Sequence, residues 1–331
     1  MTHPVIAEVL RGSHVESRHR GSVAVADAAG GLVLAIGDTD TPVYPRSAIK
    51  ALQALVLVES GAADRFGLGD EALALACASH GGEPAHVEGV ERMLRAAGLD
   101  PSALACGAHW PLHARSAQAL ARTGKVAQAL HNNCSGKHAG FLCAARALGV
   151  DPGGYTDPGH PVQREVKAAL ENLAGIAIAE SDRAVDGCSV PTWAIPLAAL
   201  ARAFARFGSG QGLSPQRAGA AQRLRAACAT KPWFMAGTGR FCTRLMEHFG
   251  ERVFAKTGAE GVFCGALPQQ GLGIAIKCED GAARAAEVVM AALVARFLPL
   301  GAGDEAALGP LARPVLRNWN GIAVGSIAGT I

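Results

Sequence analysis

Apolar positions along the chain change period twice, and the changes divide it into three stretches. Residues 3–40 follow the two-residue period of strands. Val5–Leu10 reads as one strand, and Ser22–Ala26 and Leu32–Ile36 flank Ala29-Gly30-Gly31 as a hairpin. From about 60 to 250 the spacing is helical, and it predicts helices at 85–97, 115–130, 137–148, 161–174, 193–207, 215–229 and 240–249. Pro161 after His160, and Ser214-Pro215, supply helix-start signals. Strand spacing returns at 252–256, 261–267 and 271–277. A long apolar helix at 281–298 follows, then a tail, 310–331, rich in Pro, Gly and Asn.

Strands at both ends with helices between predict an α/β (α+β) fold. One antiparallel sheet is assembled from the two termini, about 1–45 and 250–331, with a helical lobe of about 60–250 inserted. The helix at 281–298 covers one face of that sheet. The 331 residues are read as a single domain of two lobes, and a cleft between lobes is a common place for an active site. Gly208-Ser209-Gly210-Gln211-Gly212 follows a helix rather than a strand, so it reads as a helix-to-helix turn and not as a dinucleotide loop.

Between strand and helical stretches lies Tyr44-Pro45-Arg46-Ser47-Ala48-Ile49-Lys50-Ala51-Leu52-Gln53-Ala54-Leu55. It reads as a loop entering a buried helix at 47–59. Pro45 suits the entrance, where a missing N–H removes no bond. Ser47 and Lys50 are three apart, hence neighbours on the first turn. Two later features belong with this pair: Ser79 in Ala78-Ser79-His80-Gly81-Gly82, and Lys256-Thr257-Gly258 at a strand end. Ser-x-x-Lys, a loop serine, then Lys-Thr-Gly is the order found in serine β-lactamases and penicillin-binding proteins. Their middle motif is Ser-Asp-Asn, and Ser-His-Gly departs from it.

A serine attacks only after a base takes its proton, and lysine is a base only when neutral. An ordinary lysine is neutral about once in 2,500 at pH 7. Burial and a second nearby cation both lower its pKa. Lys256 across a cleft from Lys50 supplies both conditions, giving two pairs, Ser47–Lys50 and Ser79–Lys256, in one pocket. Backbone N–H groups of Ser47 and of the stretch Ala259–Gly261 are the candidate oxyanion donors. The reaction class is acyl transfer through a serine ester, with Ser47 the preferred nucleophile and the reverse assignment open.

Composition narrows the setting. Hydrophobic residues make up 50% of the chain and charged ones 18%, as in a compact globular protein. The net charge of +3, the 5% aromatic content and the lack of a Lys/Arg run give no support for nucleic-acid binding. No apolar stretch reaches the ~18 residues needed to span a membrane. The start, Met1-Thr2-His3-Pro4-Val5-Ile6-Ala7-Glu8, has no signal-peptide pattern. Nine cysteines without a Cys-x-x-Cys pair predict reduced thiols and a cytoplasmic location.

A second polar constellation is Asn132-Asn133-Cys134-Ser135-Gly136-Lys137-His138-Ala139-Gly140, with Asp186-Gly187-Cys188 later. Two thiolates can hold zinc, and a neutral Lys137 could be a third donor; buried structural thiols fit the spacing as well. His138 and Asp186, beside those cysteines, are candidates for substrate contact or for supporting the metal donors.

Taken together, these stretches resemble the bacterial L-asparaginase II family, the thermolabile or Rhizobium-type asparaginases. The pieces that carry the resemblance are Pro45–Lys50, Ala78–Glu83, Asn132–His138, Asp186–Cys188 and Lys256–Gly261. It implies a β-lactamase/serine-glutaminase-like fold, the tandems Ser47–Lys50 and Ser79–Lys256, zinc held by Cys134, Lys137 and Cys188, and a homodimer. The implied reaction is hydrolysis of L-asparagine to L-aspartate and ammonia. On charge and position, Arg46 would take the substrate carboxylate and Asp186 or Glu260 its ammonium, with His138 and Gly258 also lining the site. A glutaminase or other small-amide hydrolase, and a non-catalytic metabolite-binding domain, are the competing readings.

Overall fold

The structure is a computed structural model that describes residues 3–331; Met1 and Thr2, which open the N-terminal stretch read above, lie outside it. Its framework is an eight-stranded antiparallel sheet of β1 (Val5–Arg11), β2 (His14–Asp27), β3 (Leu32–Ile36), β4 (Phe254–Thr257), β5 (Val262–Leu267), β6 (Leu272–Cys278), β7 (Val315–Arg317) and β8 (Ala323–Gly329). The order across the sheet is β7-β8-β1-β2-β6-β5-β4, with β3 also on β2. The N-terminal strands therefore lie between two groups of strands from the later part of the chain. β2 spans the whole sheet: residues 14–20 pair with β1, while 21–27 pair with β6 and 23–26 with β3.

Helices cover both faces. Leu197–Ser209 crosses β2, β5 and β6, and Ala283–Phe297 lies over β1, β5, β6 and β8. The two sets of contacts come from alternate residues. Gly265 of β5 faces Met290, whereas its neighbour Ala266 meets Gly208 of the other helix. This two-sided burial explains the near-continuous apolar runs of β5 and β6, every residue of β5 being buried. The remaining helices pack around the buried segment 50–59: Ser135–Leu148, Pro161–Ala174 and Pro215–Thr230 all touch it.

The differences from the sequence expectation have local causes. The helix foreseen at 193–207 begins at Leu197, because Pro191–Trp193 and Ile195–Pro196 pair as short strands with 183–185 and 42–43. The one foreseen at 115–130 ends at Arg122, where Thr123-Gly124 turns the chain with Gly124 at φ 70°. The Pro- and Gly-rich tail supplies β7 and β8. Of the expected turn at Gly208–Gly212, Gly208 and Ser209 close the helix Leu197–Ser209, and the turn to Pro215–Thr230 begins at its cap, Gly210.

Gly273 of β6 is where helix Leu197–Ser209 comes closest to the sheet: a Cβ there would meet the Ala201 carbonyl and the Ala205 amide. Backbone cannot yield as a flexible side chain can. Gly273→Ala is expected to lower the unfolding free energy by about 3 kcal/mol or more, measured by urea denaturation. A loss below ~1 kcal/mol would mean the helix slides freely on the sheet.

Candidate active site

Three elements bring Lys50, Ser79 and Lys256 together. Lys50 opens the buried helical segment, Ser79 follows the helix Asp70–Ala76, and Lys256 is on β4. Lys50 Nζ lies 2.9 Å from Ser79 Oγ, and Lys256 Nζ lies 2.9 Å from the same oxygen. Carbonyls hold the amines in place: Lys50 donates to Ala78 O at 2.6 Å, and Lys256 to Thr257 O at 2.8 Å. Ser79 itself donates its N–H to Met235 O. The two lysines and Ser79 are buried. Neither of the roomiest clefts, of about 590 and 530 Å³, is lined by any of the three.

This differs from the expected pairing in one respect. Ser47 Oγ makes no hydrogen bond among the described residues, and the Lys50 stem carries its amine to Ser79 instead. The Ala78 carbonyl and the Ser79 hydroxyl draw the Lys50 amine away from Ser47. Residues Arg46–Ile49 form a 3-10 turn before the α-helix begins at Lys50, and Arg46 has φ 51°. Ser47 stays half-buried at the mouth of that turn, and its N–H is unpaired as well. The Pro45 carbonyl rests against Gly258, 2.8 Å from where a Cβ would be, so the turn is seated on the end of β4.

Non-glycine residues in the left-handed region are Arg46, Ser189 and Glu260, each in a turn that carries candidate residues. Such backbone costs on the order of 1–3 kcal/mol per residue and tends to gather at functional sites. Ser189 follows Cys188, whose Sγ is 3.1 Å from Lys137 Nζ. The thiols of Cys134 and Cys188 hydrogen-bond each other; that bond, with Lys50 and Lys137 nearby, holds Cys134 well below the usual thiol range despite burial. Cys188 is raised as the partner that keeps the proton. Burial opposes the charge on Lys137, and the two cysteines outweigh it, raising its pKa. Among the described residues no group of three or more His, Cys, Asp or Glu is placed to hold a metal; this set reaches three donors only through Lys137. Two sulfurs and an amine within reach suit a borderline dication that displaces their protons.

The other predicted contacts are dispersed. Arg46 and Asp186, expected at opposite ends of a zwitterion, are ion-paired with each other. Burial would raise the Asp186 pKa, but Lys137 and Arg46 hold it below the ordinary value. His138 is fully buried, 2.6 Å from the Tyr155 hydroxyl through Nδ1, and its Nε2 has no partner. Burial, with Lys137 and Lys50 nearby, holds it neutral well below the usual histidine range. Glu260 is exposed on the β4–β5 turn, its carbonyl taken by Lys277.

Sequence reasoning missed the residues that lock the Ser79 loop. Glu83 is buried and accepts from the Thr238 N–H at 2.9 Å and the Thr238 hydroxyl at 2.7 Å. His86 accepts the Glu83 N–H and stacks on Trp233. His80 is neutral, its pKa pushed well down by burial, and bonds Ser135. The only signal was Glu83 closing the segment Ala78–Glu83.

The sequence profile described as L-asparaginase II matches residues 7–328, nearly the whole chain. The chain belongs to the L-asparaginase II family, of asparaginase-type amidohydrolases. A search of curated proteins finds no match. Among solved structures, a beta-lactamase from Mycobacterium bovis is similar at TM-score 0.39 and 17% identity, over 84% of this chain and 95% of that one. Mglu is similar at TM-score 0.37 and 20% identity, over 84% of this chain and 67% of that one. In its native form Mglu gives 0.38 and 17%, over 90% and 69%. At these scores the likeness is distant.

Burial, then the nearby Lys50, lowers the Lys256 pKa from 10.5 to about 7. The folded state thus gives up this proton sooner than the unfolded chain. Between pH 7 and 10.5 the unfolded state binds more protons, so the cost of burying Lys256 is full below pH 7 and fades as pH rises. Lys256→Met should therefore be most favourable to stability at pH 6, its advantage over wild type shrinking by roughly 3–5 kcal/mol by pH 10. A difference in unfolding free energy that stays constant from pH 6 to 10 would contradict a neutral buried lysine.

Proposed function

We propose that this member of the L-asparaginase II family hydrolyses L-asparagine to L-aspartate and ammonia through a serine ester. The observation that carries the reading is the Ser79 hydroxyl held between two buried lysines, one with its pKa lowered to about 7. At that value about half of the Lys256 amines are free bases at pH 7, against roughly one in 2,500 for an ordinary lysine. Ser47 Oγ attacks the side-chain amide carbon. Its proton passes through the Ser79 hydroxyl to Lys256, while Lys50 supports the relay. The free Ser47 N–H, with an N–H of Ala259–Gly261, receives the oxyanion. Collapse breaks the C–N bond, the lysine returns the proton to the departing ammonia, and water then cleaves the aspartyl ester.

The half-buried Ser47, with no hydrogen bond to break, supports its choice as nucleophile. A second reading makes Ser79 the nucleophile, because Ser79 and not Ser47 touches both amines. Asp186 is the proposed ammonium partner, once Arg46 yields it. Gly258 and His138 shape the pocket, the unpaired His138 Nε2 offering a donor; Glu260 stands at its rim. Cys134, Lys137 and Cys188 are the proposed zinc donors. When bound, the ion would neutralise the thiolates and anchor the substrate side of the pocket. All nine cysteines are free, which supports a cytoplasmic site of action, and the homodimer rests on the sequence resemblance.

Ammonia release from L-asparagine is expected to fall at least about 10³-fold in both Ser47→Ala and Ser79→Ala. Rapid quenching and peptide mass analysis should find the aspartyl ester on Ser47; ester on Ser79 would reverse the serine roles, and no turnover by folded wild type would sink the assignment. The rate should rise with pH through about 7 and level off above it, since the base acts when deprotonated. L-Glutamine should be the poorer substrate, because one methylene is worth only about 1–3 kcal/mol. Metal analysis should find about one zinc per chain, and its removal should raise the KM for asparagine more than it lowers kcat. An unchanged KM after chelation would refute the anchoring role.

A further inference from the structure

A small cavity of about 110 Å³ opens beside the Ser79 loop, lined by Gly81, Glu83, His113, Gly237, Thr238 and Arg240 among others. Its two sides come from segments far apart in sequence, 81–83 with 112–114 on one side and 237–240 on the other, and the contacts that join them are tight. Glu83 takes both the N–H and the hydroxyl of Thr238. Gly237 has φ 110°, and a Cβ there would stand 2.9 Å from Glu83 Oε1 and 3.2 Å from the Gly81 N–H. His113 donates its N–H to Gly81 O. The wall that carries Arg240 is therefore fixed against the loop that carries Ser79.

Arg240 is half-buried, and its guanidinium has no hydrogen bond or ion pair among the described residues. The cation at Arg46 is committed to Asp186 by comparison. A carboxylate approaching Arg46 must displace that partner, whereas Arg240 bonds no acid among the described residues, although its charge reaches the partly buried Glu287. Arg240 is also close enough to Lys256 to help lower its pKa.

Resting on the amide-hydrolase reading, we propose that Arg240 is the receptor for the α-carboxylate of the substrate, and that Glu83 is the positioning residue that holds its segment in place. The ligand class is an α-amino acid whose side-chain amide reaches the Ser47/Ser79 centre. A guanidinium suits a carboxylate through two parallel N–H donors. The assignment separates the two ends of the substrate between different walls, with the ammonium toward Asp186 and the carboxylate toward Arg240.

The test compares L-asparagine with β-alaninamide, which has the same amide and amine but no α-carboxylate. Arg240→Gln should lower kcat/KM for asparagine about 10- to 100-fold, mainly through KM, and change β-alaninamide turnover much less, both measured at about pH 9, where Lys256 is a free base with or without the Arg240 charge. Arg240→Lys should restore part of the loss. Equal losses on both amides, or none on asparagine, would overturn the proposal, and so would Arg46→Gln showing the selective loss in place of Arg240→Gln. Binding separates this from the hydrolase reading. If no amide is turned over, calorimetry with L-aspartate and β-alanine still decides, since wild type should prefer aspartate and Arg240→Gln should not. Glu83→Gln should reproduce the selective KM increase in weaker form; an unchanged asparagine KM in Glu83→Gln would remove the positioning role.

Discussion

The site depends on two lysine amines meeting at one serine oxygen inside the protein. Two ammonium groups that share a hydrogen-bond partner repel each other, and in a buried setting water screens little of that repulsion. The fold relieves it by letting one amine go neutral. Lys256 is the one placed to do so, on a strand buried on both faces, with only a serine hydroxyl and the Thr257 carbonyl for company. Lys50 faces a richer set of acceptors, with the Ala78 carbonyl at 2.6 Å and that of Asn133 at 3.4 Å. Burial, then the nearby Lys50, leaves Lys256 as the base that a proton relay needs.

Holding that arrangement requires contacts that run between the sheet and the helices. The Pro45 carbonyl against Gly258 ties the entrance turn to β4, Met235 holds the Ser79 N–H, and Asn133 holds the His80 N–H. These three anchors come from residues separated by 53 to 213 positions, and none is a side-chain pair. Strain is concentrated in the same turns: Arg46, Ser189 and Glu260 take left-handed backbone that glycine would adopt more cheaply. Keeping arginine, serine and glutamate there makes sense if their side chains or the turns they shape serve the pocket.

Much of this was legible in the sequence, for physical reasons that differ by element. The sheet strands 262–267 and 272–278 and the helix 283–297 carry strong apolar runs, and their bounds fell close to expectation. Residues 14–20 of β2 were missed because His14-Val15-Glu16-Ser17-Arg18-His19-Arg20 is polar on both sides, as an exposed half-strand can be. Ser47, Lys50, Ser79 and Lys256 were singled out by motif, and motif spacing paired Ser47 with Lys50. Residues three apart are neighbours in a 3-10 turn too, so the spacing was silent on what draws the Lys50 amine away, which is the Ala78 carbonyl and Ser79 hydroxyl of the next element. Glu83 showed only as the end of the segment Ala78–Glu83 and Arg240 not at all, since Glu83 acts through contacts across about 155 residues of chain.

The charge balance of the pocket gives these pieces one direction. Lys50, Lys137 and Lys256 are all within about one per cent of full burial, and the anionic groups near them are Asp186 and the Cys134–Cys188 pair. Even with Lys256 neutral, the Ser79 side of the site keeps Lys50 and Arg240 on its border, while Asp186 and Cys188 sit around Lys137 and Cys134 lies between Lys137 and Lys50. Such a field opposes binding of a bare cation at the serines and favours negative charge as it develops on an amide oxygen. It also favours a substrate that carries its own carboxylate toward Arg240 and its ammonium toward Asp186. A neutral amide without those ends would meet the same nucleophile, but would gain nothing from the separation of charge across the pocket. On the proposed reading, selectivity for an amino-acid amide follows from the placement of charges around Ser47 and Ser79 rather than from the serines themselves.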